Sequence, residues 1–347
     1  MKIPSKENVK FVLLGHGFHL CTYARMLKER GFPSPVIVTH PRVQHERDRQ
    51  LLTNPRVYAY VFDVARELDI EIIESSSVNK APLISKLLEK GCNHAFSFSC
   101  RSIIKKEFID SFKGKVFNIH PSMLPKERGG GTFSWRIMND INKTSATIHQ
   151  IDEGIDTGPI IYQKEYLLEK KRPKPIDYLM KTNEIYTELI STFLDAIEKR
   201  HDLVFKSQNE NDSTYLPRLH SETNAAIDWR WSVTEIERFV RAFSDPYPGA
   251  FTFLNGQKII ILDADYELSE ERLHPYMIGR VLTINQKGEV QIIARGGFLI
   301  IKTVQINNIR KKAADAVKYS DVLYTPMETL FAARTKLVKI SEMLNVK

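Results

Sequence analysis

Short apolar segments alternate with helical patterns through the first 120 residues, and this alternation restricts the fold more than any other feature of the sequence. The strands that it predicts are Val9–Leu14, Pro35–Thr39, Ile70–Ile73, Ala95–Ser99 and Val116–Ile119, and the helices between them include Leu20–Arg30, Ala59–Leu68 and Ala81–Glu89. Strands that alternate with helices form a doubly wound, mostly parallel α/β sheet. Ligands bind such sheets at the carboxyl ends of the strands, so we expect the site there.

The turn after the first strand excludes one common class of α/β enzyme. Gly15, His16 and Gly17 follow that strand directly, but a dinucleotide fingerprint of the form G-x-G-x-x-G needs glycine at position 20, where the chain has Leu20. The sequence therefore does not predict a nicotinamide-dependent oxidoreductase.

The rest of the chain predicts a completed first domain and a smaller β-rich second one. Further strands at Ala146–Gln150 and Ile160–Tyr166, a helix from Ser134 to Asn139 and an amphipathic helix over Pro175–Ile197 complete the first. A polar segment ending in proline follows, and beyond it come a helix, five short β-type segments and a C-terminal helix from Thr325. We expect a catalytic domain at 1–206, a linker at 207–218 and a β-barrel domain resembling an OB fold at 219–347.

Composition and cysteine spacing narrow the class of protein. No apolar run is long enough for a membrane span or signal peptide, which predicts a cytoplasmic protein with no membrane partner. The three cysteines (Cys21, Cys92 and Cys100) form no C-x-x-C pair, and no Cys/His/Glu cluster has zinc spacing, so neither disulfides nor a metal are expected. The net charge of +8 favours an anionic ligand without choosing among nucleotide, folate and RNA.

Three polar residues carry the candidate chemistry. Asn118 and His120 are two positions apart in a strand and therefore lie on one face, and a glycine-bracketed turn supplies Asp156 further along the chain. An amide, an imidazole and a carboxylate can provide an oxyanion donor, a proton carrier and a charge that orients it, as acyl transfer to an amine requires. Spacing alone leaves open a purely structural Asn-x-His pair.

The residues around these three resemble a known family. N-I-H-P-S-x-L-P-x-x-R-G followed by I-D-x-G-x-D-T-G-P-I is similar to the formyltransferases that use N10-formyltetrahydrofolate. The resemblance implies that Asn118, His120 and Asp156 are catalytic and that N10-formyltetrahydrofolate is the co-substrate. Two further segments resemble a C-terminal domain that part of this family has: I-D-W at 227–229 and R-A-F-S-D-P-Y-P-G-A-F at 241–251. Methionyl-tRNA formyltransferases and the enzyme that formylates 4-amino-arabinose share this C-terminal domain, whereas glycinamide ribonucleotide transformylases lack it.

The resemblance also implies the ligand-binding residues. Those expected to line the folate cleft are Phe96, Ser97, Phe98, Ser99, Cys100, Arg101, Asp152, Gly154 and Ile155. Three glycines (Gly129, Gly130 and Gly131) follow Lys126 and Arg128, where the tRNA enzymes have an alanine-rich segment instead. A glycine backbone permits the close approach of a ligand, because it has no side chains to cover it. We therefore expect Lys126, Arg128 and the glycines to bind the acceptor, with the arginine on a phosphate.

The segment 39–58 bears on the identity of the acceptor. Its four arginines (Arg42, Arg47, Arg49 and Arg56) accompany two acidic residues, and it has no Gly-Lys-rich tip like that with which the tRNA enzymes read RNA. The absence of such a tip favours a dTDP- or UDP-linked amino sugar as the acceptor, formylated for surface polysaccharide synthesis. Methionyl-tRNA, and with it a nucleic-acid partner, is the alternative. A folate-dependent hydrolase and a non-catalytic protein that binds nucleic acid through the barrel are the other hypotheses, and a homodimer is possible.

Overall fold

Two compact units make up the protein, and the structure, a computed structural model, describes residues 1–2, 4–51, 58–271 and 273–336. The first unit comprises residues 1–132, 143–168 and 179–216, and the second comprises 133–142, 169–178 and 217–347. The boundary at 216/217 falls within the predicted linker, but two short segments of the expected catalytic domain belong to the second unit.

The first unit contains the elements expected from the alternating pattern. Its elements up to the site are β1 (Phe11–Gly15), α1 (Phe18–Glu29), β2 (Val36–Thr39), α2 (Arg42–Leu51), α3 (Val61–Leu68), β3 (Glu71–Glu74), α4 (Ala81–Glu89), β4 (His94–Phe98), α5 (Lys106–Ser111) and β5 (Val116–His120). The chain continues with β6 (Arg128–Gly129), α6 (Thr132–Met138), β7 (Lys143–Gln150), β8 (Ile160–Leu167), α7 (Pro175–Glu198) and β9 (Tyr215–Leu216). Helices α6 and α7 include residues of both units.

Seven of these strands form one mixed sheet in the order β3-β2-β1-β4-β5-β7-β8. The pairs from β3 to β5 are parallel, whereas β5 with β7 and β7 with β8 are antiparallel. Strands β1 and β4 are buried along their whole length, as expected of central parallel strands covered on both faces. The expected doubly wound, mostly parallel α/β sheet is confirmed.

The second unit contains an antiparallel sheet. Its elements are α8 (Ser221–Asn224), α9 (Val233–Ala242), β10 (Ala250–Leu254), β11 (Gln257–Leu268), β12 (Val281–Ile284), β13 (Val290–Ala294), β14 (Gly297–Ile306), β15 (Ile309–Lys312), β16 (Leu323–Tyr324) and α10 (Met327–Thr335). The strand order is β12-β13-β14-β11-β10-β16, with β15 paired to β14. This confirms a smaller, barrel-like β domain, although the long β11 and β14 and the short β15 were not expected.

No helix in the described part of the chain is both long and apolar enough to cross a membrane. Of the four arginines predicted in segment 39–58, Arg56 lies outside the described residues and Arg47 is described only as part of α2.

Candidate active site

Strand β5 presents Asn118 and His120 on one face of the sheet. Phe117 and Ile119 alternate with them and are buried in the apolar core, so the pleat directs the two polar side chains to the opposite face. Both lie near the carboxyl end of β5, beside the antiparallel strand β7, where Asn118 is paired with His149. The structure thus brings the first two predicted catalytic residues together and adds a third side chain.

His149 fixes the orientation of the Asn118 amide. Its ring is buried, Nδ1 donates to the Gln150 carbonyl at 2.8 Å, and Nε2 lies 3.1 Å from Asn118 Nδ2. In the neutral ring with a proton on Nδ1, Nε2 accepts a hydrogen bond from the amide. Because an amide nitrogen carries two hydrogens, the second N–H of Asn118 can donate a hydrogen bond to a reacting carbonyl oxygen.

Asp156 is a nearly buried carboxylate held by groups from three other segments. Gly129 N–H donates to its Oδ2 at 2.9 Å, His120 Nδ1 lies 3.6 Å from the same oxygen, and His149 Nε2 lies 3.5 Å from Oδ1. Burial opposes ionisation, but the positive charge that His120 and His149 carry when protonated and the hydrogen bond from the Gly129 N–H hold the pKa of Asp156 well below its usual range. The group is therefore an anion at neutral pH.

The hydrogen bonds of His120 indicate where it takes a proton. Nε2 lies 3.0 Å from the Glu127 carbonyl, to which it can only donate, so the lone pair of the neutral ring is on Nδ1. Nδ1 faces Asp156, and a proton accepted at that atom creates an imidazolium next to a carboxylate. His120 and Asp156 thus form a pair suited to general acid and base chemistry.

The segment predicted as a linker supports the Asp156 loop. Gln208 Nε2 donates to the carbonyls of Asp156 at 2.9 Å and of Gly158 at 2.6 Å, while Gln208 Oε1 accepts from the Arg128 guanidinium. Asp156 has a positive φ of 55°, which an L residue adopts only when its surroundings hold it there. Sequence reasoning missed Gln208, because a polar segment between domains gives no signal that it contacts a catalytic loop.

Arg128 does not have the environment expected of a phosphate-binding residue. Its side chain is buried, and the guanidinium donates to both carboxylate oxygens of Glu210, at 2.7 and 2.9 Å, and to Gln208. These partners occupy all three guanidinium nitrogens, and the expected contact of Arg128 with a phosphate of the acceptor stays a prediction.

The three-glycine segment packs against the protein's own backbone. Strand β6 pairs in parallel with β9, and Gly130 N–H donates to the Leu216 carbonyl at 2.9 Å. A Cβ atom at Gly129, where φ is 97°, would lie 2.4 Å from the same oxygen, so the close approach that requires glycine here is to Leu216. Lys126 is exposed, and Gly130 and Gly131 are half-buried.

The residues expected to line the folate cleft occupy different environments. Phe96 and Phe98 are buried and stacked on each other in the core, with ring centroids 4.7 Å apart, and Ser97 is buried between them, so the two rings are not available to a ligand. Ser99 is exposed and Cys100 half-buried, and burial raises the pKa of the Cys100 thiol to about 11. Arg101 Nη2 donates to Asp48 at 2.6 Å.

The second expected folate segment is a structured turn with an exposed tip. The Asp152 carboxylate accepts hydrogen bonds from Gly154 N–H and from the Thr157 hydroxyl, and Ile155 at the tip is 45% exposed. The turn is thus available for contact with an apolar ring.

Comparison with known proteins identifies the family. Residues 8–174 match the formyl transferase family, and residues 220–320 match the formyl transferase C-terminal domain. The methionyl-tRNA formyltransferase of Wolbachia pipientis is 32% identical over 259 residues, which are 74% of this chain and 79% of that protein. The chain belongs to the formyl transferase family. The expected enzyme class, a formyltransferase dependent on N10-formyltetrahydrofolate, is confirmed.

Other similar proteins differ in their acceptors. The methionyl-tRNA formyltransferase of Syntrophus aciditrophicus is 28% identical to this formyltransferase over 287 residues, 82% of this chain and 88% of that protein. The structure of an N-formyltransferase from Helicobacter canadensis, solved with folinic acid and dTDP-3-aminofucose, superimposes with a TM-score of 0.61 at 20% identity and covers 84% of this chain and 98% of that one. At this identity the structural similarity concerns the fold.

Replacing the two polar residues of β5 should abolish most of the activity. Asn118→Ala removes the oxyanion donor and His120→Ala removes the proton carrier, so each should lower kcat by about a hundredfold or more while the protein remains folded. Formyl transfer and the thermal unfolding midpoint should be measured for both variants. Near-normal turnover in either one would contradict the assignment of that residue.

Loss of Gln208 should impair turnover more than binding. Gln208→Ala removes both hydrogen bonds to the Asp156 loop, and a displacement of the carboxylate should lower kcat by about ten- to a hundredfold with a small change in KM. Asn211→Ala, in the exposed part of the same segment, is the control and should behave as the wild type. A larger effect on KM than on kcat would assign Gln208 to ligand binding instead.

Asp156 should make stability depend on pH under acidic conditions. Because its pKa is lower in the folded protein than the value of about 3.9 expected in an unfolded chain, its stabilising contribution is present above that pH and is lost as the pH falls below it. In urea unfolding, the free energy of unfolding of Asp156→Asn should fall less steeply below about pH 4 than that of the wild type. Asp202→Asn, at an exposed position, should retain the wild-type slope, and equal slopes in all three proteins would refute the prediction.

Proposed function

We propose that this formyltransferase transfers the formyl group of N10-formyltetrahydrofolate to the amine of methionyl-tRNA. The observation that carries this proposal is the identity of 28% and 32% with two methionyl-tRNA formyltransferases over at least 74% of both chains. The net charge of +8 is favourable for an RNA ligand. This reverses the order of acceptors expected from the sequence.

The geometry of Asn118, His120 and Asp156 supports the following mechanism. The neutral amine attacks the formyl carbon, and the second N–H of the Asn118 amide donates a hydrogen bond to the oxyanion that forms. His120 accepts the amine proton at Nδ1, next to the ionised Asp156. When the bond between the formyl carbon and N10 breaks, this proton is transferred to N10, giving tetrahydrofolate and the formylated amine.

A dTDP- or UDP-linked amino sugar is the second candidate acceptor, and the segment before residue 52 favours it. The Arg42 guanidinium donates to Glu74 and lies 4.1 Å from the centroid of the Phe62 ring, and Arg49 lies 5.2 Å from that of Tyr60. Both arginines are exposed, but each also has a partner within the protein, so part of the positive charge that a segment reading RNA would present is already used. Against this candidate, Arg128, the residue expected on the sugar diphosphate, bonds instead to Glu210 and Gln208.

A direct comparison of acceptors tests the proposal. Initiator methionyl-tRNA and a panel of dTDP- and UDP-linked amino sugars should be incubated separately with the enzyme and N10-formyltetrahydrofolate. We expect formylation of methionyl-tRNA, with kcat/KM falling at least about tenfold between roughly 50 and 200 mM salt, because RNA binding releases counterions. The value of kcat/KM should also rise with pH through the neutral range, since the attacking amine must be neutral.

Two outcomes would change the conclusion. Formylation of an amino sugar nucleotide without formylation of methionyl-tRNA would establish the second candidate. Release of formate with neither acceptor, at the rate of folate turnover, would instead indicate a hydrolase.

A further inference from the structure

A cluster of three potential metal ligands lies outside the catalytic residues. His16 comes from the turn after β1, His40 from the end of β2 and Asp48 from α2, and one ligand atom from each lies within 4.8 Å of the other two. His16 Nδ1 lies 3.6 Å from Asp48 Oδ2. None of the three takes part in the proposed mechanism.

The environment of His40 is the second observation that points to a ligand. The residue is 6% exposed, and neither ring nitrogen has a hydrogen-bond partner among the residues that the structure describes. The neighbouring His45 differs, because its Nε2 lies 3.0 Å from the Thr39 hydroxyl and 3.2 Å from the His40 carbonyl. Leaving polar atoms buried without a partner is unfavourable, and a cation bound to one nitrogen would remove part of that cost.

We propose that His16, His40 and Asp48 bind a divalent transition-metal ion, with Zn²⁺ as the ion that this set of ligands fits best. Two imidazole nitrogens and one carboxylate oxygen are a zinc ligand set, and they leave a fourth position open. Tetrahedral zinc with bonds of about 2.0 to 2.1 Å needs ligand atoms roughly 3.4 Å apart. The widest separation in the cluster is at most 4.8 Å, so the ligand atoms need to approach one another by no more than about 1.4 Å when the ion binds.

Burial and access are both compatible with such a site. The side chains of His16 and Asp48 are 16% and 15% exposed, so an ion can reach them, while His40 lies beneath the surface. The His16 and His40 rings meet edge to face with centroids 4.7 Å apart, which places their nitrogens near one another.

Arg101 affects the affinity of the proposed site in two opposing ways. Its Nη2 donates to Asp48 Oδ2 at 2.6 Å, and a hydrogen bond to a ligating carboxylate orients it. Its positive charge also repels a cation, so the ion should bind less tightly than in a site without a neighbouring guanidinium.

Binding of Co²⁺, followed by displacement with Zn²⁺, tests the site without reference to activity. The full chain, treated with a chelator and desalted, should bind about one equivalent of Co²⁺ with the visible absorption of a four-coordinate ion, and Zn²⁺ should abolish this absorption. Zn²⁺ should also raise the thermal unfolding midpoint, since it binds the folded state.

Variants of the two partly exposed ligands assign the site. His16→Gln and Asp48→Asn should each weaken Co²⁺ binding by at least about tenfold, whereas His201→Gln, which changes an exposed histidine outside the cluster, should not. Thermal unfolding without metal shows whether each variant is folded, and the proposal holds if either folded variant loses affinity. His149→Gln serves as a control for the catalytic imidazoles.

Three results would overturn the proposal. These are the absence of stoichiometric binding at micromolar Co²⁺ or Zn²⁺, unchanged affinity in both cluster variants, and loss of binding in His149→Gln instead. Because the readouts are spectra and unfolding midpoints, their outcome is independent of which acceptor the enzyme formylates.

Discussion

The burial of the Asp156 carboxylate is the constraint on which the rest of the active site depends. An ionised group in this position is stable only when polar groups surround it, and here they come from β5, β6 and β7. His120, Gly129 and His149 must therefore be placed correctly before the charge can be held. The same contacts place Nδ1 of His120 beside the carboxylate, which stabilises the imidazolium that forms when this nitrogen accepts a proton.

Two features of the first unit satisfy this constraint. The sheet changes from parallel to antiparallel between β5 and β7, which places His149 directly opposite Asn118. The short pairing of β6 with β9 fixes Gly129, and Gln208, a few residues before β9, holds the loop that carries Asp156. The Glu210 and Arg128 ion pair completes this support, so the end of the first unit, which the sequence predicted as a linker, contributes to the geometry of the candidate active site.

The proposed formyl-transfer residues and the acceptor preference have different physical origins. Asn118, His120 and Asp156 lie in one unit, where His149 contacts both Asn118 and Asp156 and His120 lies 3.6 Å from Asp156, so as proposed they can serve any amine that reaches the formyl carbon. Preference among amines depends on surfaces beyond this group. The similar proteins illustrate this difference. Two relatives with 28% and 32% identity are methionyl-tRNA formyltransferases, whereas a structural neighbour with the same fold was solved with an amino sugar nucleotide.

Local patterns in the sequence determined the order of elements and the shared face of two residues in the site. Apolar alternation predicted β5 and placed Asn118 and His120 on one face, and the helical stripe predicted α7 to within a residue or two. The sequence also predicted a linker at 207–218, a place for Phe96 in the folate cleft and acceptor binding by Arg128. Only the tertiary structure showed that Gln208 supports the Asp156 loop, that the Phe96 ring lies in the core and that Arg128 bonds to Glu210 and Gln208. It also brought His16, His40 and Asp48 together, because such contacts join separate elements of the chain and their spacing carries no periodic signal.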